Sequence, residues 1–406
     1  MEDGMWVLLA VFLSQTVDYS AEGAKALDAH KYDAAVEMFT KAVAADPKDY
    51  GARFNLALAY GFQNKFAESI PQYKAVLDLK PGLYEAELNL GISLLRVKDF
   101  AGASAQLKAA CEQRPKEFRP IYYLAEALME SGSLAEAQAA YMTAIELKAD
   151  SAEAELGLAQ TLMGEKQLAD AEPHLRKAAS LNPRYRSYLL DLASRYESGG
   201  QAEKAVALYR EFPDDPGARE HLGALLMKSG DAAEAIPALE AAVAKSPTPG
   251  NRAALAQAYL KAKQDDKAIA VAAQMVAAEP QAYDVRMFAG KMLRDLHKLP
   301  QAEGQFAAAT RIKPDSVAAW SELSAALVID QKYPEGIAAL DRLRALGVDT
   351  PGQMFFRAIS YDHLHMLKEA LAAYKEFLAA SDGKNPDEEF KARQRARILQ
   401  HELDKK

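Results

Sequence analysis

The 406-residue chain has a single cysteine, Cys111, so no disulfide can form within it and no thiolate cluster can hold a metal. No apolar run approaches the roughly 18–20 residues of a membrane-spanning helix. Glycine (22) and proline (18) are too few for a collagen-like or disordered chain. Positive charge is not in excess: 49 Lys and Arg against 57 Asp and Glu leave a net charge of −8. That argues against nucleic acid as the main partner, because phosphate binding needs clustered cations. Hydrophobic residues are 50% of the chain, and the length suits two or three domains or one repeat array.

Motifs of chemistry are missing too. There is no phosphate-binding loop and no Gly-x-Ser-x-Gly elbow; Gly91-Ile92-Ser93 and Gly102-Ala103-Ser104 lack the second glycine. His363 and His365, two residues apart, diverge by about 200° on a helix, whereas zinc wants a spacing of three or four. His30, His174, His221, His297 and His401 read as scattered side chains at different positions, on the surface or half-buried. Cys111 has no matched base and reads as inert packing. The expectation is a protein with no catalytic, metal or cofactor site, and not an enzyme.

What is present is self-similarity, the first thing to test in such a chain. Asn55-Leu56-Ala57-Leu58-Ala59-Tyr60 returns 34 residues later as Asn89-Leu90-Gly91-Ile92-Ser93-Leu94. Extending that step gives eleven repeats, starting at 16, 50, 84, 118, 152, 186, 216, 249, 283, 317 and 351. Position 8 is always small (Gly23, Ala57, Gly91 and on to Ala358), and so is position 20 (Ala35, Ser69, Ala103 and on to Ala370). Two helices cross at close range only where a side chain is nearly absent. Position 7 is mostly Leu and position 11 mostly Tyr or Leu. Proline at position 32 (Pro47, Pro81, Pro115, Pro183, Pro247, Pro280, Pro314) stops the second helix of its repeat.

This pattern resembles the tetratricopeptide repeat family over residues 16–384, departing from it at Ala149 and Val348, which stand at position 32 of repeats four and ten. The resemblance implies an all-α, right-handed α-solenoid of about eleven helix pairs, with the first helices lining the concave side. It implies a non-enzymatic scaffold that binds a peptide or helix of a partner protein in that groove. A structural spacer or self-assembling component of an envelope-associated complex is the alternative. A receptor would be monomeric and a spacer would self-associate.

Repeat six is four residues short, with Glu211-Phe212-Pro213-Asp214-Asp215-Pro216-Gly217 ending its second helix. A change of pitch is expected there, dividing repeats 1–6 (16–215) from repeats 7–11 (216–384). Residues 385–406 read as a capping helix with Asn385 as N-cap and Pro386 at its first position, and with Phe390, Ile398 and Leu399 covering the last repeat. Residues 1–15 include the apolar run Trp6-Val7-Leu8-Leu9-Ala10-Val11-Phe12-Leu13, long enough for a signal-peptide core. Although Glu2 and Asp3 precede it and no clean A-x-A site follows, an exported, periplasmic location is the expectation if this run is a signal peptide, with a cytoplasmic one as the alternative.

On the helical wheel, positions 4, 7, 8 and 11 form the core face of the first helix, and positions 2, 5, 9, 12 and 13 the groove face. Repeats two to four there offer Phe54, Leu58, Phe62, Leu88, Ile92, Leu95, Tyr122 and Met129 beside Arg96, Arg119 and Glu126. An apolar patch rimmed by both charge signs is the arrangement of an interface. Phe54, Phe62 and Tyr122 are the expected anchors, with Arg96 and Arg119 pairing with acids. Asn55 and Asn89 occupy position 6, as in carboxylate-clamp tetratricopeptide domains. The clamp cations are missing, however, and only Asn89 with Arg119 fits.

Overall fold

The structure, a computed structural model, describes residues 18–381 and 383–405. The apolar run at 6–13, and with it the expected signal segment, lies outside the described residues. Among these residues all regular structure is helical: eleven antiparallel helix pairs and one terminal helix. The chain divides into two compact bodies, Met1–Ala205 and Val206–Lys406. Each is an α-solenoid in which every pair packs on the next.

The helix starts follow the repeat register. The first helices of repeats two, three and four are Tyr50–Phe62, Tyr84–Arg96 and Phe118–Glu130; those of repeats nine, ten and eleven are Tyr283–Asp295, Val317–Ile329 and Pro351–His363. A short polar residue just before the helix often caps it: Asp49 accepts from the Ala52 amide at 3.0 Å, and Ser316 from the Ala319 amide at 3.2 Å. Repeat six starts two residues late, at Tyr188, because Pro183 opens a short 3-10 turn over Pro183–Ser187. Its second helix is only Ala202–Arg210, and the Pro-rich segment follows.

Within a pair, the crossing is filled from position 24 of the second helix. Phe39, Tyr73, Leu107, Tyr141, Leu175, Leu239, Phe306 and Leu340 all stand there, and all are buried. Each burial contributes about 1.5–3 kcal/mol. The small residue at position 8 makes room: a Cβ added to Gly91 would lie 2.5 Å from Leu107 Cγ, and one added to Gly290 would lie 2.5 Å from the Phe306 ring.

The turn joining the two helices is the same in every repeat. Position 15 takes a left-handed φ throughout, at His30, Asn64, Lys98, Gly132, Lys166, Gly200, Gly230, Lys263, His297, Gln331 and His365. The next amide then reaches back to the carbonyl of position 11, as in Lys65 N to Tyr60 O (2.9 Å) and Asp99 N to Leu94 O (2.9 Å), satisfying the last carbonyls of the first helix. The histidines are therefore less scattered than the sequence suggested: His30, His297 and His365 share this position. At the other end of the pair, a cation at position 31 covers an aromatic ring at position 1: Lys80 over Tyr50 (4.7 Å), Arg114 over Tyr84 (3.7 Å), Lys148 over Phe118 (5.3 Å) and Lys313 over Tyr283 (4.1 Å).

The junction of repeats ten and eleven lacks the position-32 proline and is held differently. Arg357 replaces leucine at position 7 and is only 2% exposed. Its Nη1 donates to Asp349 at 3.1 Å and its Nη2 to the Leu340 carbonyl at 3.2 Å. A buried guanidinium thus ties the inter-repeat turn to the core.

The terminal helix, Pro386–Asp404, corrects the sequence expectation in its rotation. Leu399 is buried on the last repeat as expected, but Phe390 and Ile398 are exposed, and Ala392 and Ala396 are buried in their place. The small alanines let the helix lie close against Phe377 and Tyr374 in one cluster. Asn385 makes no side-chain cap bond; Glu389 instead accepts from Ser381 Oγ and, at 3.0 Å, from the Gly383 amide.

Two measurements check these packing assignments. Gly91→Ala is expected to lower stability by about 1–3 kcal/mol through overpacking. Leu107→Ala in the same chain should remove most of that penalty; strictly additive effects in urea unfolding would show that the two residues do not meet. Arg357→Ala is expected to cost about 2 kcal/mol or more, because it empties buried space and takes a donor from the Leu340 carbonyl, while Asp349 keeps Arg344 at 2.6 Å. Hydrogen exchange should localise the loss to repeats ten and eleven.

Candidate functional site

The first helices of repeats one to five contact one another in succession, so they form one wall of the N-terminal body. The expected groove residues lie on this wall, but not all face outward. Leu88 and Leu95 are buried in the core of repeats two to four and offer no surface. Phe54 is half-buried, its ring edge-on to Tyr73 at 5.6 Å. Asn55, Leu58, Asn89, Ile92, Glu126 and Met129 are all half-buried.

Phe62 is the most open of the set, at 52% exposure. It stacks on Tyr32 of the preceding repeat, with centroids 5.0 Å apart and planes 14° from parallel. Position 13 therefore pairs with position 17 of the previous repeat, at the turn edge of the wall rather than its middle. His363 repeats the arrangement on Tyr333, at 4.7 Å and 3°.

Repeat four brings the polar and aromatic groups together. Tyr122 stacks on Phe118 at 5.5 Å and lies edge-on to Tyr123 and Tyr141 at 5.2 and 6.2 Å. Burial pushes the Tyr122 hydroxyl above its ordinary range, and Glu126 adds to that. Arg96 does not wait for a partner's acid: its Nη1 donates to Glu126 Oε1 at 3.0 Å, bridging repeats three and four. Arg96 and Arg119 both lie 5.9 Å from the centre of the Tyr123 ring, and Arg119 is exposed. Tyr123 is the member of this cluster that the wheel missed, because position 6 falls between its core and groove sets.

Below the wall, Tyr84 donates its hydroxyl to Glu117 Oε2 at 2.7 Å. Burial first, and then that bond, push the hydroxyl up to about 12. Arg114 covers the ring and pairs with Glu85 at 2.7 Å. These contacts fix the start of the first helix of repeat three, and so the position of Ile92.

Among the described residues no three His, Cys, Asp or Glu side chains are grouped to hold a metal. Burial pushes the Cys111 thiol up to about 11, away from the thiolate needed for nucleophilic or redox work. No described helix is long and apolar enough to cross a membrane.

Among solved structures the chain is similar to MamA from Desulfovibrio magneticus RS-1, with 19% identity over 41% of this chain and 94% of that one, and a TM-score of 0.39. It is also similar to the structures described as MamA MSR-1 and MamA AMB-1, each at 23% identity over 41% of this chain, covering 95% and 99% of theirs, both with a TM-score of 0.39. No curated protein matches. Sequence models described as tetratricopeptide repeat match residues 21–82, 57–118, 122–186, 156–219, 190–248 and 289–353, and a second such model matches 226–292. Matches spanning nearly all the helix pairs, on a chain whose pairs follow a 34-residue register, place it plainly: the chain belongs to the tetratricopeptide repeat family, a fold of protein-interaction scaffolds that is typically non-catalytic.

Proposed function

We propose that this scaffold holds a peptide or helix of a partner protein along the first helices of repeats two to four. The observation that carries the reading is the half-buried strip Leu58, Ile92, Tyr122 and Met129, which crosses three adjacent first helices beside the exposed Arg119. Half-buried apolar groups backed by a rigid core lose little conformational freedom on binding, which favours hot spots there. Tyr122 is the principal anchor, held upright by Phe118 and Tyr141. Arg119 takes an acidic side chain, while the Arg96–Glu126 pair fixes the register of repeats three and four. Phe54 supports the strip from beneath, and Phe62 with Tyr32 borders it.

Peptides selected from a random library on the full chain are the probe. They are expected to pair an acidic residue with an apolar one. Tyr122→Ala and Arg119→Glu should each weaken a selected peptide about tenfold or more, near 1.4 kcal/mol. Ser194→Glu, in the first helix of repeat six, should leave affinity within twofold. Equal binding by wild type and both repeat-four variants would place the groove elsewhere.

A further inference from the structure

Two of the cavities in the C-terminal body lie on the side of the second helices where position 25 of the repeat is alanine. Position 25 carries Thr40, Lys74, Lys108, Met142, Arg176, Arg210, Glu240, Asp341 and Lys375 in nine repeats. In repeats eight and nine it is alanine: Ala273 and Ala307. Ala273 lines a cavity of 340 Å³. Ala307 lines one of 590 Å³ between the second helices of repeats nine (Leu299–Ile312) and ten (Tyr333–Ala345), above the first helix of repeat ten. Gly304 widens it further, since a Cβ there would touch nothing.

The two cavities differ in their polar groups. The smaller one has Gln301 and Gln305, and Gln305 already accepts from Arg286 at 2.7 Å. The larger one is walled by Trp320, Leu323 and Leu327 and carries two acids, Glu303 and Glu335. Glu303 is 8% exposed. Its Oε2 accepts from Lys332 Nζ at 2.6 Å, but its Oε1 is buried with no hydrogen-bond partner. Lys332 also serves Asp330, at 2.8 Å, so two carboxylates share one ammonium. Burial holds the Glu303 carboxyl above the usual range against the pull of Lys332, and the neighbouring Asp330 carboxylate adds to the rise. A buried carboxylate oxygen without a donor costs on the order of 1–3 kcal/mol or more, and a bound cation removes that cost.

We propose that the cavity between the second helices of repeats nine and ten binds an ammonium or guanidinium group on an apolar stem. The cation donates to Glu303 Oε1, and the stem lies against Trp320, Leu323 and Leu327. The volume falls within the range of small-ligand sites, roughly 300–1,000 Å³. The indole face attracts a cation as well. This site is independent of the groove reading and lies on other repeats.

Trp320 supplies the readout. The chain has two tryptophans, Trp6 and Trp320, so a full-length Trp6→Phe chain reports the cavity alone by fluorescence excited at the red edge of the indole band. Titration with 4-phenylbutylamine should give a saturable change, and 4-phenylbutyrate, of like stem and opposite charge, should bind at least tenfold more weakly. Glu303→Gln should weaken the amine about tenfold or more. Ala307→Lys, which places a tethered ammonium at the cavity wall beside Glu303, should abolish binding. Thermal unfolding establishes that both variants fold, and either one alone suffices as the test.

An acetylated, amidated Leu-Lys-Leu peptide distinguishes the sources. Binding of the peptide alone assigns the cavity to a side chain of a partner, and binding of the amine alone to a free organic cation. The proposal is overturned if neither probe saturates, if the carboxylate binds as well as the amine, or if the folded variants bind within twofold of the parent.

Discussion

Everything in this molecule depends on one insertion repeated along the chain: a large side chain at position 24 of the second helix in ten of the eleven repeats (Ala272 in repeat eight is the exception), driven against the small residue at position 8 of the first. Leu107 against Gly91 and Phe306 against Gly290 leave no room for even one added carbon. That contact sets the distance and crossing of the two helices, because ridges can enter grooves only where the facing residue is small. The left-handed turn at position 15 and the cation over the position-1 ring close the two ends of the pair. Once each pair has one shape, stacking identical shapes dictates the wall of first helices on which Ile92 and Tyr122 sit.

Departures from the pattern are met by local chemistry. Where Val348 stands in place of proline, Arg357 enters the core and binds Asp349 and the Leu340 carbonyl. Beside Glu303, Phe306 at position 24 is fully buried while Ala307 at position 25 lines open space.

The repeat, its boundaries and the pairing of helices were legible in the chain because packing at a close crossing admits so few residue types. The regular 34-residue step then carried each assignment to the next repeat. Position 24 escaped notice because it is mixed, with Phe, Tyr or Leu in ten repeats and Ala272 in one, and only its opposition to position 8 reveals its role. The positive φ at position 15 was hidden for the same reason, since most repeats put Lys, His, Asn or Gln there instead of glycine. The groove was half legible. A helical wheel orients a side chain about its own axis but says nothing of what the neighbouring helix covers, so Leu88 and Leu95 read as surface and are core. The same limit misjudged the terminal helix, whose rotation follows from the snug fit of Ala392 and Ala396 rather than from the reach of Phe390 and Ile398.

The uniform turn has a consequence for how the chain acquires its structure. Each first helix is folded back on its second by a connection of a few residues, and the substantial contacts of any helix lie with elements next or next but one in sequence. No distant segments need to find each other before the core begins to form, so little loop-closure entropy stands in the way. A chain being synthesised from its N-terminus can close one pair while the following pair is still unmade. Assembly then proceeds as an ordered growth, each finished pair presenting the surface on which the next one settles.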